Sequence, residues 1–315
     1  MKLFDAHGRA KRIRGKLSGL PRVTLRVCNE IRALRGNTAS FRRMLIEEAR
    51  RGSLGGRNQD LIHRIDPKDV GVRLAQEVGI PVLSREAYAD VVTLLNRVRE
   101  STSRLVVKPT DMATGYGSKG VYIIYGPEDI FDLGRFEQLC GFDDFARRIA
   151  EWEPPGWSVE PFLPSTHDER CPAHDLKFYS FYGRIGLVLE ARRHREICHC
   201  WWTADGQRAK DGQRAENGCY RKRLFSGEGF SDLEKEWAIK LSSEIPAPFM
   251  RIDILRSSQG SFFGEFTPRP GAFEYFRHCL DKWMGELYLD AQDRLLDDLW
   301  NGKRFDHFRA VTACS

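Results

Sequence analysis

Two short runs near residue 260, "RIDIL" and "GEFTPRPG", carry the residues best suited to chemistry. If the turn between them centres on Gln259, Arg251 lies opposite Thr267 and Asp253 opposite Glu265. Strand side chains alternate, so all four emerge on one face. Opposed carboxylates repel unless something cationic stands between them. Mg²⁺ does this with hard oxygen ligands, one or two carboxylates plus phosphates and waters. Thr267 offers a hydroxyl to the same position, and Arg251 is placed to hold an anionic or oxyanionic group beside the ion. A hairpin charged only for solubility is the competing reading. Against it, apolar Ile252, Ile254, Phe262 and Phe266 alternate with the charged positions, which implies one buried face.

The second candidate is "LVVKPTDMATGYGSKGVYII", residues 105–124. Lys108 closes the first apolar run, and Gly115, Gly117, Ser118, Lys119 and Gly120 crowd the gap before the second. A loop this poor in side chains lets backbone N–H groups approach phosphate oxygens. The same stretch would also serve as a long hairpin loop, and its spacing is neither that of a Walker loop nor that of a Rossmann turn. A third group is Cys171, His174, Cys198 and Cys200, which a hairpin turning near residue 183 brings together. Structural zinc is one reading and ordinary packed or exposed cysteines the other, the spacing being irregular.

The elements that must position these residues are short. Residues 38–51 read as an amphipathic helix. Asp66-Pro67 marks a helix start, with Asp66 as N-cap and Pro67 in the first helical position. "KDVGVRLAQEVG" follows as a helix, "IPVLS" as a strand and "AYADVVTLLNRVRES" as a second helix. From Arg104 onward the pattern changes to paired β-runs: Leu105–Lys108 with Val121–Tyr125, "WSVEPFLP", a hairpin turning near Tyr182-Gly183-Arg184, and the acidic hairpin turning at 257–260. Helices are expected near 231–244 and 281–299. The stretch from Trp201-Trp202 to about Arg223 reads as a loop. The expected division is a small N-terminal α/β domain over 1–100, a glycine-loop subdomain over 101–160 and a hairpin subdomain over 161–315, an α+β architecture.

Bulk properties narrow the function classes. The chain has 315 residues and a net charge of +6. No apolar stretch approaches the length of a membrane span and no secretory signal is visible, and the eight scattered cysteines suit a reducing cytoplasm. Through Arg57 there are 15 Lys and Arg against 4 Asp and Glu, so the remainder is net acidic. This basic arm is suited to an anionic partner, nucleic acid or a membrane surface, or else forms solvated helix faces.

Taken in order, "LVVKP…GYGSKGV", "VEPFLP", "DLKFYSFYGRI", "EARRHR", "MRIDIL" and "GEFTPRPG" resemble the ATP-grasp superfamily, and most closely its TupA-like branch associated with teichuronopeptide biosynthesis. The resemblance runs from about Pro67 to about Gly271. It implies two α+β subdomains clasping ATP, with a glycine-rich loop closing on the phosphates. Lys108 then matches a phosphate-contacting lysine, and Gly117, Ser118, Lys119 and Gly120 match the flap. Glu160 matches the acid that accepts from the adenine amino group, with Pro161 and Phe162 lining the base. Asp168 or Glu169 matches the ribose-binding acid. Asp175 and Lys177 match a "D-x-K-F" signature, Arg193 the basic residue closing the hairpin and Arg251 the arginine of the acyl-transfer centre. Asp253 and Glu265 match the magnesium carboxylates, with Mn²⁺ as an alternative ion, and Thr267 stands where many relatives have asparagine.

The resemblance implies an ATP-dependent carboxylate–amine ligase, phosphorylating a carboxylate and passing the acyl group to an amine. Its acceptor would be an acidic glycan, a peptide or an amino-acid-derived carboxylate. The alternatives are an ATP-grasp kinase that stops at phosphorylation and a non-catalytic module that binds an anionic polymer. The cysteine–histidine group is no part of the family pattern.

Overall fold

Among the described residues, eleven strands in two antiparallel sheets carry most of the charged residues singled out above. The computed structural model describes residues 39–54, 64–65, 67–110, 120–151, 154–209, 225–271, 273 and 276–313. In chain order the elements are α1 (Phe41–Leu54), α2 (Lys68–Glu77), β1 (Glu86–Tyr88), α3 (Val91–Arg99), β2 (Leu105–Pro109), β3 (Tyr122–Gly126), β4 (Asp129–Asp132), β5 (Glu137–Gln138) and α4 (Phe142–Ala150). There follow β6 (Trp157–Pro161), β7 (His174–Ser180), β8 (Ile185–Arg193), β9 (Ile197–Thr203), α5 (Asp232–Ser243), β10 (Met250–Ser257), β11 (Gly260–Thr267), α6 (His278–Trp300) and α7 (Asp306–Thr312).

The small sheet has the order β1-β6-β2-β3-β4-β5 and the large sheet β11-β10-β7-β8-β9. The sheets have separate cores. Val107, Tyr122 and Trp157 pack with Phe145 and Ile149 of α4 under the small sheet. Leu176, Phe178, Ile252, Ile254 and Phe266 form the larger core with Leu241 of α5. Interior packing of this kind, rather than helix propensity, holds such short helices in place. Contacts across the two sheets gather on the 165–171 loop. Arg170 forms a two-pronged ion pair with Asp129 at 2.8 and 2.9 Å, and Arg104 donates to the Glu169 carbonyl at 3.0 Å.

The sequence reading puts residues 1–100 in one N-terminal domain, and the described helices of that stretch divide between the two cores. Phe41, Leu45, Val70 and Leu74 of α1 and α2 belong to the core of the large sheet, whereas Leu94 and Val98 of α3 belong to that of the small sheet. Each amphipathic helix buries its apolar stripe against the nearest sheet, so neighbouring helices in sequence serve different cores. The expected strand "IPVLS" contributes one isolated bridge, Val82 to Phe263, and the strand lies further on, as β1 paired with β6. Pro67 occupies the N-cap position of α2 with extended ψ, one place earlier than expected, and Asp66 lies outside the described residues.

Trp201 and Trp202 do not open a loop: they belong to β9, the edge strand of the large sheet, and Trp201 is buried against Tyr179 and Phe276. The β7–β8 turn falls where the sequence puts it. Tyr182 and Gly183 both adopt positive φ, 40° and 81°, the backbone a two-residue hairpin turn requires. The basic arm over residues 1–38 lies outside the described residues.

Candidate functional site

β10 and β11 pair Arg251 with Thr267 and Asp253 with Glu265, the register expected from sequence. The route to that register differs. The turn spans Ser257–Gly260, which alone would shift the pairing by one residue, and a bulge next to Gly264 restores it. Glycine eases the approach there: a Cβ on Gly264 would stand 3.1 Å from the Asp253 carbonyl oxygen, tighter than most side chains sit. The bulge also changes which phenylalanine enters the core. Phe263, not Phe262, is buried beside Phe266, at 4.6 Å between ring centroids.

β7 adds the third member of the row, since Lys177 lies opposite Asp253 on its other side. Lys177 donates to Asp253, through a short contact, and to Asp175 at 3.0 Å. Arg251 donates to both Asp253 oxygens at 2.7 and 2.8 Å, to Thr267 Oγ1 at 2.8 Å and to Glu265 Oε1 at 3.4 Å. Arg193, at the end of β8, closes on Asp175. Asp175, Lys177, Arg193, Arg251, Asp253, Glu265 and Thr267 therefore meet on one face of the large sheet.

Asp253 is buried to 2% exposure, so its charge requires compensation. The sequence assigns that role to a metal, whereas here Arg251 bridges the two carboxylates and Lys177 completes the pairing. Burial alone would raise the Asp175 pKa, but Arg193 and Lys177 outweigh it and hold the carboxyl well below its usual range. Burial pushes Arg251 the other way, and the Asp253 carboxylate more than reverses it, fixing the guanidinium charge.

The oxygen donors fit a hard dication. Asp253 and Glu265 face the same way from adjacent strands, and Glu265 keeps 40% of its side chain exposed. Because both Asp253 oxygens are engaged, an ion there must displace part of the Lys177 and Arg251 contacts.

The small sheet carries the other group. Glu160 on β6 accepts from Lys108 Nζ at 2.6 Å and from Arg85 Nε at 2.7 Å. Burial would raise the Glu160 pKa, and the two cations reverse this and lower it. Its carboxylate is thus the counter-ion of both Lys108 and Arg85. Arg85 escaped the sequence reading because nothing local marks the residue before a three-residue strand. Phe162 is buried against Tyr125, at 5.2 Å between centroids, while Pro161 is exposed.

Of the two ribose candidates, Asp168 accepts from the Arg170 backbone N–H at 2.8 Å and from Cys171 Sγ at 3.2 Å, and Glu169 points to solvent with 86% of its side chain exposed. Gly120 is described, with φ 73°; Gly117, Ser118 and Lys119 lie outside the described residues. The zinc reading fails on geometry. Cys171 lies with Asp168 and His194, His174 lies with Glu190 and Glu228, and Cys198 and Cys200 join neither group.

The sequence matches the model of the TupA-like ATPgrasp family over residues 49–289. The chain belongs to the TupA-like ATP-grasp family. Several solved structures are similar to the chain at low identity. The ATP-grasp ligase PsnB complexed with minimal precursor is 11% identical, with 72% of this chain and 60% of that one covered and a TM-score of 0.41. The macrocyclase MdnC from Microcystis aeruginosa MRC, bound with precursor peptide MdnA, is 11% identical over 73% and 61%, TM-score 0.41. D-alanine–D-alanine ligase from Bacillus anthracis is 12% identical over 85% and 77%, TM-score 0.43. The TupA-like chain thus spans less than two thirds of the PsnB chain it matches. No curated protein matches its sequence. No helix among the described residues is long and apolar enough to cross a membrane.

Proposed function

We propose that the protein is an ATP- and Mg²⁺-dependent ligase that joins a carboxylate to an amine. The observation that carries this reading is the row Lys177, Asp253 and Glu265 across β7, β10 and β11, with Arg251 and Thr267 beside it. Asp253 and Glu265 would hold Mg²⁺, which supplies charge neutralisation on the phosphates when bound. Lys108, on the small sheet, and Lys177, on the large one, are the cations for the phosphoryl oxygens, released in part from Glu160 and Asp253 as nucleotide charge arrives. Charge spreads over those oxygens during phosphoryl transfer, so positioned cations do most of the catalytic work.

In the reaction, a substrate carboxylate oxygen bonds to the γ-phosphorus while the bond to ADP breaks. The amine then attacks the acyl carbon of the acylphosphate, phosphate leaves with the C–O bonding pair, and the amine loses a proton. Arg251 is the donor for the oxyanion formed at that carbon. Arg193 fixes Asp175, and the backbone after Glu160 receives the base; the family resemblance assigns phosphate contact to Gly117, Ser118, Lys119 and Gly120, of which Gly120 is described.

The test is ADP release with Mg²⁺ or Mn²⁺, screened over pairs of carboxylates and amines borne on glycans, peptides and amino acids. Mass spectrometry should find a product equal to the two reactants less water. ADP release that needs only the carboxylate, with a stable phosphorylated product, makes the protein a kinase. No nucleotide binding, with Asp253→Asn indistinguishable from wild type, would leave a binding module.

A further inference from the structure

The face of the large sheet opposite Lys177 and Asp253 carries a second group of ionisable residues, and its charges are arranged differently. Glu190, in the middle of β8, has no exposed surface. Its Oε2 accepts from Trp202 Nε1 at 2.9 Å and from the Gly229 backbone N–H at 3.1 Å, and the Glu228 N–H is shared between Oε2 at 2.9 Å and Oε1 at 3.1 Å. Oε1 also faces His174 Nδ1 at 2.8 Å. Glu228 brings a second carboxylate to the same imidazole. Its Oε1 lies 3.4 Å from His174 Nδ1 and 3.2 Å from His167 Nε2, while its Oε2 accepts from Thr166 Oγ1 at 2.8 Å.

The approach of residues 227–229 to Glu190 depends on glycine. A Cβ on Gly227 would lie 2.1 Å from Glu190 Oε2.

The two clusters differ in charge. Around Asp253, three carboxylates meet three lysine or arginine side chains. Around Glu190, among the described residues, neither carboxylate pairs with a lysine or arginine; imidazoles, an indole N–H, a hydroxyl and backbone N–H groups are all that face them. Two carboxylates held this close feel mutual repulsion. A dication relieves it.

The geometry also suits one. The candidate ligand atoms of His174, Glu190 and Glu228 all lie within 4.8 Å of one another. Tetrahedral nitrogen and oxygen ligands about 2.1 Å from zinc stand roughly 3.4 Å apart. The observed 2.8 and 3.4 Å from His174 to Glu190 and Glu228 need adjustments of a few tenths of an ångström. His167, held to Glu228 at 3.2 Å, lies outside that trio and has to turn inward to complete the set, which its exposure permits. Each carboxylate also has an outer partner on its second oxygen, Trp202 and Gly229 for Glu190 and Thr166 for Glu228, the arrangement that orients metal-binding carboxylates.

We propose that His167, His174, Glu190 and Glu228 bind one divalent transition-metal ion, of the kind mixed imidazole and carboxylate donors take, separate from the nucleotide-side Asp253 and Glu265. His167 is 76% exposed and gives the ion its route from solvent. The ion would tie together the 165–171 loop, strands β7 and β8, and residues 227–229 ahead of the α5 cap. It lies behind the strand that carries Asp175 and Lys177 and acts on the loop joining the two sheets. It is a structural site, and it owes nothing to the proposed ligase activity.

The experiment uses the full chain, stripped with chelator, dialysed and titrated calorimetrically with Zn²⁺ without nucleotide, with circular dichroism confirming that each variant is folded. The expected result is one equivalent bound with a rise in melting temperature. Glu228→Gln and His167→Ala should each weaken binding at least tenfold, and Asp253→Asn should leave it unchanged. The inference is overturned if folded wild-type protein takes up no stoichiometric Zn²⁺, in which case His174 and the two glutamates are a hydrogen-bonded network. It is equally overturned if uptake is lost in Asp253→Asn and survives in both Glu228→Gln and His167→Ala.

Discussion

Replacing Asp253 with asparagine removes one charge from a cluster of Asp175, Asp253 and Glu265 balanced by Lys177, Arg193 and Arg251. Asp253 is 2% exposed and accepts from Lys177 and twice from Arg251, so those cations lose their main buried counter-charge. Breaking a buried pair by removing one partner costs about 3–5 kcal/mol. Asparagine keeps the shape and one acceptor, which places the cost at the lower end, about 3 kcal/mol. Lys177→Met leaves the opposite imbalance and should cost a similar amount. The double variant restores the balance, so the two losses should not add, and a coupling of about 2–3 kcal/mol is expected. At roughly 2 °C per kcal/mol for a chain of this size, each single variant should melt about 6 °C lower. The double should melt near the singles rather than some 12 °C down. Differential scanning calorimetry measures this, and ADP release should be abolished in all three. Losses that add to within about 0.5 kcal/mol would refute the view that these side chains form one electrostatic unit.

Two further predictions concern the carboxylates and the bulge. The Glu160 pKa is depressed from 4.5, so its pairing with Lys108 and Arg85 contributes stability above pH 4.5 and loses it as pH falls through the lowered folded value. Melting temperature followed from pH 6 to pH 3 should drop less steeply in Glu160→Gln, and parallel curves would show that the pairing is not what the acid titrates. Gly264→Val forces the Asp253 backbone away from its 3.1 Å approach, which should cost about 1–3 kcal/mol and lower ADP release at least tenfold. An unchanged melting curve would mean that the bulge accommodates a side chain.

Much of the large sheet was legible because its signals are local. "RIDIL" and "GEFT" alternate with period two, and Tyr182-Gly183 is a turn that only a positive-φ pair can make. The pairing of Asp253 with Glu265 came out correctly although the turn is shorter than expected, since the bulge at Gly264 offsets it; the misplaced Phe262 is the trace of that offset. β9 was missed because its "CHCWW" core breaks the polar alternation of an edge strand, with Trp201 turned into the core.

The family, the antiparallel hairpins and the residues that gather around Asp253 follow from short-range pattern and strand alternation. Which charge neutralises which follows only from the packed fold. Arg85 reaches Glu160 from 75 positions away, Lys177 reaches Asp253 from 76, and Glu228 reaches His174 from beyond two intervening strands, β8 and β9. Such pairings are chosen by the cost of leaving a buried charge uncompensated, and that cost exists only once the two sheets have excluded water.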